Sequence, residues 1–191
     1  YPGETLSAAI GQSYNNFTPM QIAKYISSIA NGGTVVNPTI IKTILNSDGT
    51  EVPREEIEKY TNGKLGIEDT DDGINVSSES IEIAKEGMRM ATSEAGGTAY
   101  NIFKNFNVEV AGKTGSAEAG KDSNGKDKVH AWFVCFAPFE NPEVAVVVMI
   151  ENGGHGNYAA EVARDILEQY FGKNEETTIN ESTVAKPYTE E

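Results

Sequence analysis

An α+β fold, an antiparallel sheet flanked by helices, is what this 191-residue sequence predicts. Three strand-type segments follow one another at Val108–Ala117, Val129–Ala137 and Val144–Ile150. Helical patterns lie on both sides of that run, beginning near Pro19, Ser78 and Tyr158. Together they define the class.

Thr18-Pro19-Met20-Gln21 opens the first clear helix. Thr18 supplies an N-cap, Pro19 suits the first turn, and Gln21 completes a reciprocal capping box. Ile22, Ala23, Ile26, Ile29 and Ala30 fall on one face before Asn31-Gly32-Gly33 ends the helix. Thr34–Leu45 is β-branched and is expected to be extended, with Ser47-Asp48-Gly49 as a turn. From Thr50 to Ser77 the chain is polar and acidic without steady periodicity, a connecting excursion with a short helix at Arg54–Tyr60. Ser78 or Ser80 starts the next helix, with Ile81, Ala84, Met88 and Ala91 on one face and Met88 and Met90 as core material. Gly96-Gly97-Thr98 closes it before a turn of helix near Tyr100–Phe103.

The strands come next. Ala117–Lys128, between the first two, is a glycine- and charge-rich loop suited to a cleft's rim. The last helix runs from Tyr158 to Phe171, capped by Asn157 and ended by Gly172, with Ala159, Val162, Ala163, Ile166 and Tyr170 as its stripe. Residues 1–172 thus form one folded unit, and 173–191, without any apolar period, a flexible tail.

Lys113-Thr114-Gly115-Ser116 carries the chemistry. An ammonium, two hydroxyls and a glycine on a strand make a site for an anion such as a carboxylate. Thr114 and Ser116 are two apart, so on an extended backbone both hydroxyls point to one side. Gly115 removes the side chain that would keep a ligand off the backbone.

Composition narrows the alternatives. A net charge of −14 leaves no basic stripe for phosphates, so no nucleic-acid partner is expected, and it disfavours docking on an anionic membrane surface. Cys135 is the only cysteine and sits in an apolar run, which makes it a buried hydrophobe. With His130 and His155 the only histidines, no metal site and no cofactor are expected. No segment reaches the roughly 18 apolar residues of a membrane span. The chain begins at Tyr1-Pro2-Gly3-Glu4 without an initiator methionine and reads as part of something longer.

Assembled, the motifs resemble the transpeptidase domain of class B penicillin-binding proteins. The residues that carry the resemblance are Gly11-Gln12, Thr18–Ala23, Ala30–Gly33, Gly97-Thr98-Ala99 and Ala111–Ala117. His130–Phe133, Phe136-Ala137-Pro138, Ala145–Val148, Glu151-Asn152-Gly153 and His155-Gly156 complete them, in the family's order. That family builds its site from Ser-x-x-Lys, Ser-x-Asn and Lys-Thr-Gly, and only the third is matched here. Ser123-Asn124-Gly125-Lys126 and Ser13-Tyr14-Asn15 have the other spacings but lie in the wrong places, one in a flexible loop after Lys-Thr-Gly. The resemblance therefore implies the C-terminal part of the domain, lacking the nucleophile and inactive alone.

For the residues present, the resemblance implies catalytic roles for Lys113 and Ser116 and substrate binding by Thr114, Gly115 and Ser116. Lys113 would hold a positive field beside the Ser-x-Asn serine and aid proton transfer to the leaving amine. Thr114 and Ser116 would bond the carboxylate of a D-Ala-D-Ala stem peptide or a β-lactam, and the Ser116 N–H would be one oxyanion-hole donor. The parent would be a serine-type peptidoglycan D,D-transpeptidase on the extracytoplasmic face of a bacterial membrane, anchored by an N-terminal segment. A related carboxypeptidase, β-lactamase or penicillin sensor, or a non-catalytic extracellular binding module, are the alternatives. The family's first two strands would precede this chain and leave Val144–Ile150 as an exposed apolar edge, a route to a homo-oligomer.

Outside the motif, structural roles are expected: packing for Trp132 and Phe133, loop structure for His155, a solvated rim for Glu118, and a helix-ending turn for Gly97-Thr98, which the resemblance also places at the border of the cleft.

Overall fold

The run Ala131–Ala137 carries no charged residue on either face, so a strand made from it needs cover on both sides. The computed structural model, which describes residues 2–9, 11–12, 15–65 and 76–172, supplies that cover. The elements are α1 (Pro2–Ala9), α2 (Pro19–Ala30), α3 (Arg54–Leu65), α4 (Ser78–Ser93), α5 (Tyr100–Phe103), β1 (Ala111–Lys121), β2 (Asp127–Ala137), β3 (Val144–Ile150) and α6 (Gly156–Phe171). The strands form one antiparallel sheet in the order β1-β2-β3.

β2 divides the interior in two. Ala131, Phe133, Cys135 and Ala137 face α5 and α6, where they join Phe103, Ala159, Ala160, Ala163 and Leu167. The Phe103 and Phe133 rings stack with centroids 5.6 Å apart. Phe136 turns to the opposite face and meets Ile26, Ile29 and Ala30 of α2 and Ile81 and Met88 of α4. Phe133 and Phe136 are both fully buried, each worth about 1.5–3 kcal/mol of apolar burial.

The helix at Pro19 has the predicted capping box in full: the Gln21 N–H donates to Thr18 Oγ1, and the Thr18 N–H to Gln21 Oε1. The turn of helix at Tyr100–Phe103 and the strand Val144–Ile150 have the predicted limits. Other boundaries moved. β1 begins at Ala111 rather than Val108 and runs on to Lys121, and β2 begins at Asp127, so most of the expected rim loop is a hairpin. Its tip is tight because Asp122 Oδ1 accepts the N–H groups of Asn124 and Lys126. Ser123 and Lys126, which have the Ser-x-x-Lys spacing, sit exposed at that tip.

Thr34–Leu45 forms no strand; its one ladder contact is an isolated bridge, Leu45 to Glu51, across the expected Ser47-Asp48-Gly49 turn. α3 is longer than expected and is tied to this segment, with Arg54 donating to the Ile41 carbonyl at 2.9 Å. α1 was not expected at all.

Two helix faces differ from the predicted stripes. On α4, Ala84 is exposed and Thr92 is buried in its place, while Met90 is 45% exposed. On α6, Ala160 and Leu167 go inside with Ala159 and Ala163, whereas Val162, Ile166 and Tyr170 remain outside. The small residues face the sheet because β2 is packed closely beneath them. The expected tail, 173–191, and Ser13 and Tyr14 of the Ser-x-Asn spacing lie outside the described residues.

Candidate active site

β1 is an edge strand of the described sheet, and the four motif residues lie on it. Its register sets their faces. Thr114 is opposite Phe133 and Ser116 opposite Ala131, while Lys113 is opposite Val134 and Gly115 opposite Trp132. Opposed residues share a face, so both hydroxyls stand on the α5–α6 side, as their spacing predicted, and Lys113 on the other.

Each motif side chain has a partner. The exposed Lys113 ammonium donates to the Thr114 carbonyl oxygen at 2.7 Å. The Thr114 hydroxyl donates to Thr98 Oγ1 at 3.0 Å. The Ser116 hydroxyl oxygen accepts the Gly156 N–H at 3.4 Å, and the Ser116 carbonyl accepts from Gln12 Nε2 at 3.4 Å. Because a backbone N–H already uses an Oγ lone pair, the Ser116 hydroxyl proton is free to turn toward an anion.

Glycines let these parts approach. A Cβ on Gly156 would stand 2.8 Å from the Trp132 carbonyl oxygen, so the first residue of α6 is seated directly on the β1–β2 backbone. A Cβ on Gly112 would stand 2.5 Å from Phe133 Cζ, which keeps the start of β1 low over the core. Gly97 is confined in the same way, its Cβ position being 2.5 Å from the Met90 carbonyl oxygen.

Two contacts hold α4 behind the site. Thr92, 1% exposed, donates its hydroxyl to the Val110 carbonyl just before β1. Arg89 bonds Glu86 at 2.5 Å, Glu94 at 3.1 Å and Glu109 at 3.3 Å, and its guanidinium lies 5.9 Å from the Phe139 ring centroid. The hydrogen bond from Arg89 holds the Glu86 carboxyl below its ordinary range, and Glu86 in turn raises Arg89.

The residues read as structural can now be placed. Phe133 is core, Trp132 is half-buried, and Glu118 is exposed beyond the motif. His155 is the exposed N-cap of α6 without a side-chain capping bond, which displaces the expected cap, Asn157, into the helix. His130 Nδ1 accepts the Asn152 N–H at 3.1 Å and steadies the turn that leads into α6. Burial pushes the Cys135 thiol up to about 12. Sequence reasoning missed Gly156 as a seat for β1 and Thr98 as a partner of Thr114. Both lie in glycine-rich stretches that also carry the family resemblance, a signal that marks the neighbourhood but not the partner.

The structure thus gathers a cation, two co-facing hydroxyls and a bare glycine on one edge strand, against the start of α6. The penicillin binding protein transpeptidase domain matches residues 1–168, and the chain belongs to that family. It is 33% identical over 185 residues to the peptidoglycan D,D-transpeptidase MrdA of Haemophilus influenzae, covering 90% of this chain and 26% of that protein. The crystal structure of Pseudomonas aeruginosa PBP2 in complex with WCK 5153 aligns with a TM-score of 0.69 at 30% identity, over 98% of this chain and 37% of that one. Penicillin-binding protein A of Mycobacterium tuberculosis, as an imipenem acyl-enzyme, aligns with a TM-score of 0.61 at 26% identity, over 86% of this chain and 33% of that one. The chain spans about a quarter of the length of the curated relative it matches.

Proposed function

We propose that this chain is the Lys-Thr-Gly half of the active site of a peptidoglycan D,D-transpeptidase. The reading rests on one observation above the rest: Thr114 and Ser116 share a face of an edge strand, with the α6 N-terminus donating to Ser116 Oγ. Thr114 and Ser116 bind the terminal carboxylate of a stem peptide, or that of a β-lactam, each through a charge-assisted bond of about 1.5–3 kcal/mol. Gly115 lets the ligand lie against the strand. The Ser116 N–H faces the developing oxyanion, a donor whose loss costs roughly 3–4 kcal/mol in such sites.

Lys113, on the opposite face, supplies the positive field near the nucleophile and carries a proton toward the leaving amine. The nucleophile is a serine outside this chain. It forms an ester with the penultimate D-alanine carbonyl as terminal D-alanine leaves, and the amine of a second peptide then displaces the serine. The site works on the extracytoplasmic face of a bacterial membrane, in a protein anchored by another segment. β3 bonds only to β2 among the described strands. Its other edge is where one of the family's two preceding strands lies, or a second copy in its place.

Labelling with a fluorescent penicillin tests this. The full-length protein is expected to be labelled at a serine outside this chain, and the chain alone to stay unlabelled. Labelling of the isolated chain would overturn the rejection of its own serines. An unlabelled full-length protein would overturn the function.

A further inference from the structure

Thr98 touches the motif from outside it. Its hydroxyl oxygen lies 3.0 Å from that of Thr114, joining the turn after α4 to the motif strand across 16 residues. The turn is tightly determined. Gly96 has φ +96°, and Gly97 has no room for a side chain against the Met90 and Ala91 carbonyls. The Ala99 N–H donates to the Ala91 carbonyl at 2.9 Å, and Ala99 itself is 1% exposed. Thr98 is thus fixed in place, yet its side chain is open to solvent beside the motif. A helix-ending turn needs the glycines. It does not need a hydroxyl at the next position.

We propose that Thr98 is a positioning residue for carboxylate recognition; the inference rests on the transpeptidase reading above. A threonine on a strand has more than one accessible χ1 well, and the bond to Thr98 selects one for Thr114. In the free site the Thr114 proton points at Thr98. A carboxylate, which only accepts, draws that proton to itself. Thr98 then rotates its own O–H and donates to the Thr114 oxygen in return. Only hydroxyl rotations are involved, and no heavy atom or covalent bond changes. The result is a two-hydroxyl chain ending on the anion, in which each bond polarises the next. Ser116 receives the equivalent support from the Gly156 N–H. Both hydroxyls of the motif are therefore backed by a partner of their own.

The test uses the full-length protein with Thr98→Val, which keeps the shape and removes the hydroxyl, and Thr98→Ser, which keeps the hydroxyl. Second-order acylation rate constants are measured with benzylpenicillin and with its methyl ester, which lacks the carboxylate. Thr98→Val is expected to lower the benzylpenicillin constant about tenfold, the loss of roughly one net hydrogen bond, and to change the ester constant less than about twofold. Thr98→Ser should restore the benzylpenicillin value to within about threefold. Equal losses with both compounds, or an unchanged benzylpenicillin constant in Thr98→Val, would overturn the proposal. A wild-type protein acylated by neither compound would instead remove the underlying function.

Discussion

Gly156 rests on the backbone of Gly115: a Cβ at residue 156 would lie 2.7 Å from the Gly115 carbonyl oxygen and 2.9 Å from its nitrogen. The helix start and the motif strand are thereby held as one unit. Replacing Gly156 by alanine must push them apart, because the obstacles are backbone atoms that cannot rotate away. Gly156→Ala is expected to cost about 1–3 kcal/mol in stability and to slow acylation of the full-length protein by roughly 100-fold, since small misplacements of reacting groups are that expensive. Melting and penicillin acylation kinetics check both. Full-speed acylation in a folded Gly156→Ala protein would show that the contact does not set the site.

Gly87 gives the opposite expectation. It lies inside α4, exposed, with nothing within 4 Å of where its Cβ would be. Gly87→Ala should stabilise the protein by about 0.5–1 kcal/mol, because the unfolded chain loses freedom and the helix loses nothing. Denaturant unfolding measures this directly.

Thr92 bonds α4 to the residue before β1 from inside the core. Thr92→Val keeps the volume but leaves the Val110 carbonyl without that donor. A loss of about 1–3 kcal/mol is expected, measured by urea unfolding, together with faster hydrogen exchange in α4 and at the start of β1.

Cys135 ties reactivity to unfolding. Burial raises its pKa to about 12 from an ordinary value of 9.0, the bond to Val146 opposing this only in part. The folded state therefore holds a proton that the unfolded state releases between those values, and stability falls as pH rises through that window. Below it the thiol is neutral and enclosed. A disulfide reagent at pH 8 is expected to react with the denatured protein and to leave the native one unmodified over the same period.

Much of the site was legible because its signals are local. The spacing of Thr114 and Ser116 fixes their shared face on any strand, and the capping box at Thr18 and Gln21 needs only neighbouring residues. What escaped depends on distant partners. Thr34–Leu45 has β-branched composition but no ladder partner beyond the Leu45–Glu51 bridge, and strand preference is realised only against a neighbour. On α6, apolar residues extend around more than one face, so periodicity alone could not choose between Leu167 and Ile166. The sheet chose, admitting Ala159, Ala160 and Ala163 where the approach is closest. The cap moved from Asn157 to His155 for the same reason: the helix must begin with the glycine that fits against β1. Thr98 and Gly156 meet the motif across 16 and 40 residues, and no short-range pattern announces such pairs.

β2 has one more implication. Its two apolar faces seal both cores, while every hydroxyl of the motif belongs to the outer strand and its supports. On the function proposed above, ligand preference can therefore drift through changes at the margin, in the Gly96–Thr98 turn, the β1–β2 hairpin or the tip of α6, with the hydrocarbon centre left untouched. Variants with altered penicillin acylation and unchanged thermal resilience are expected to concentrate there.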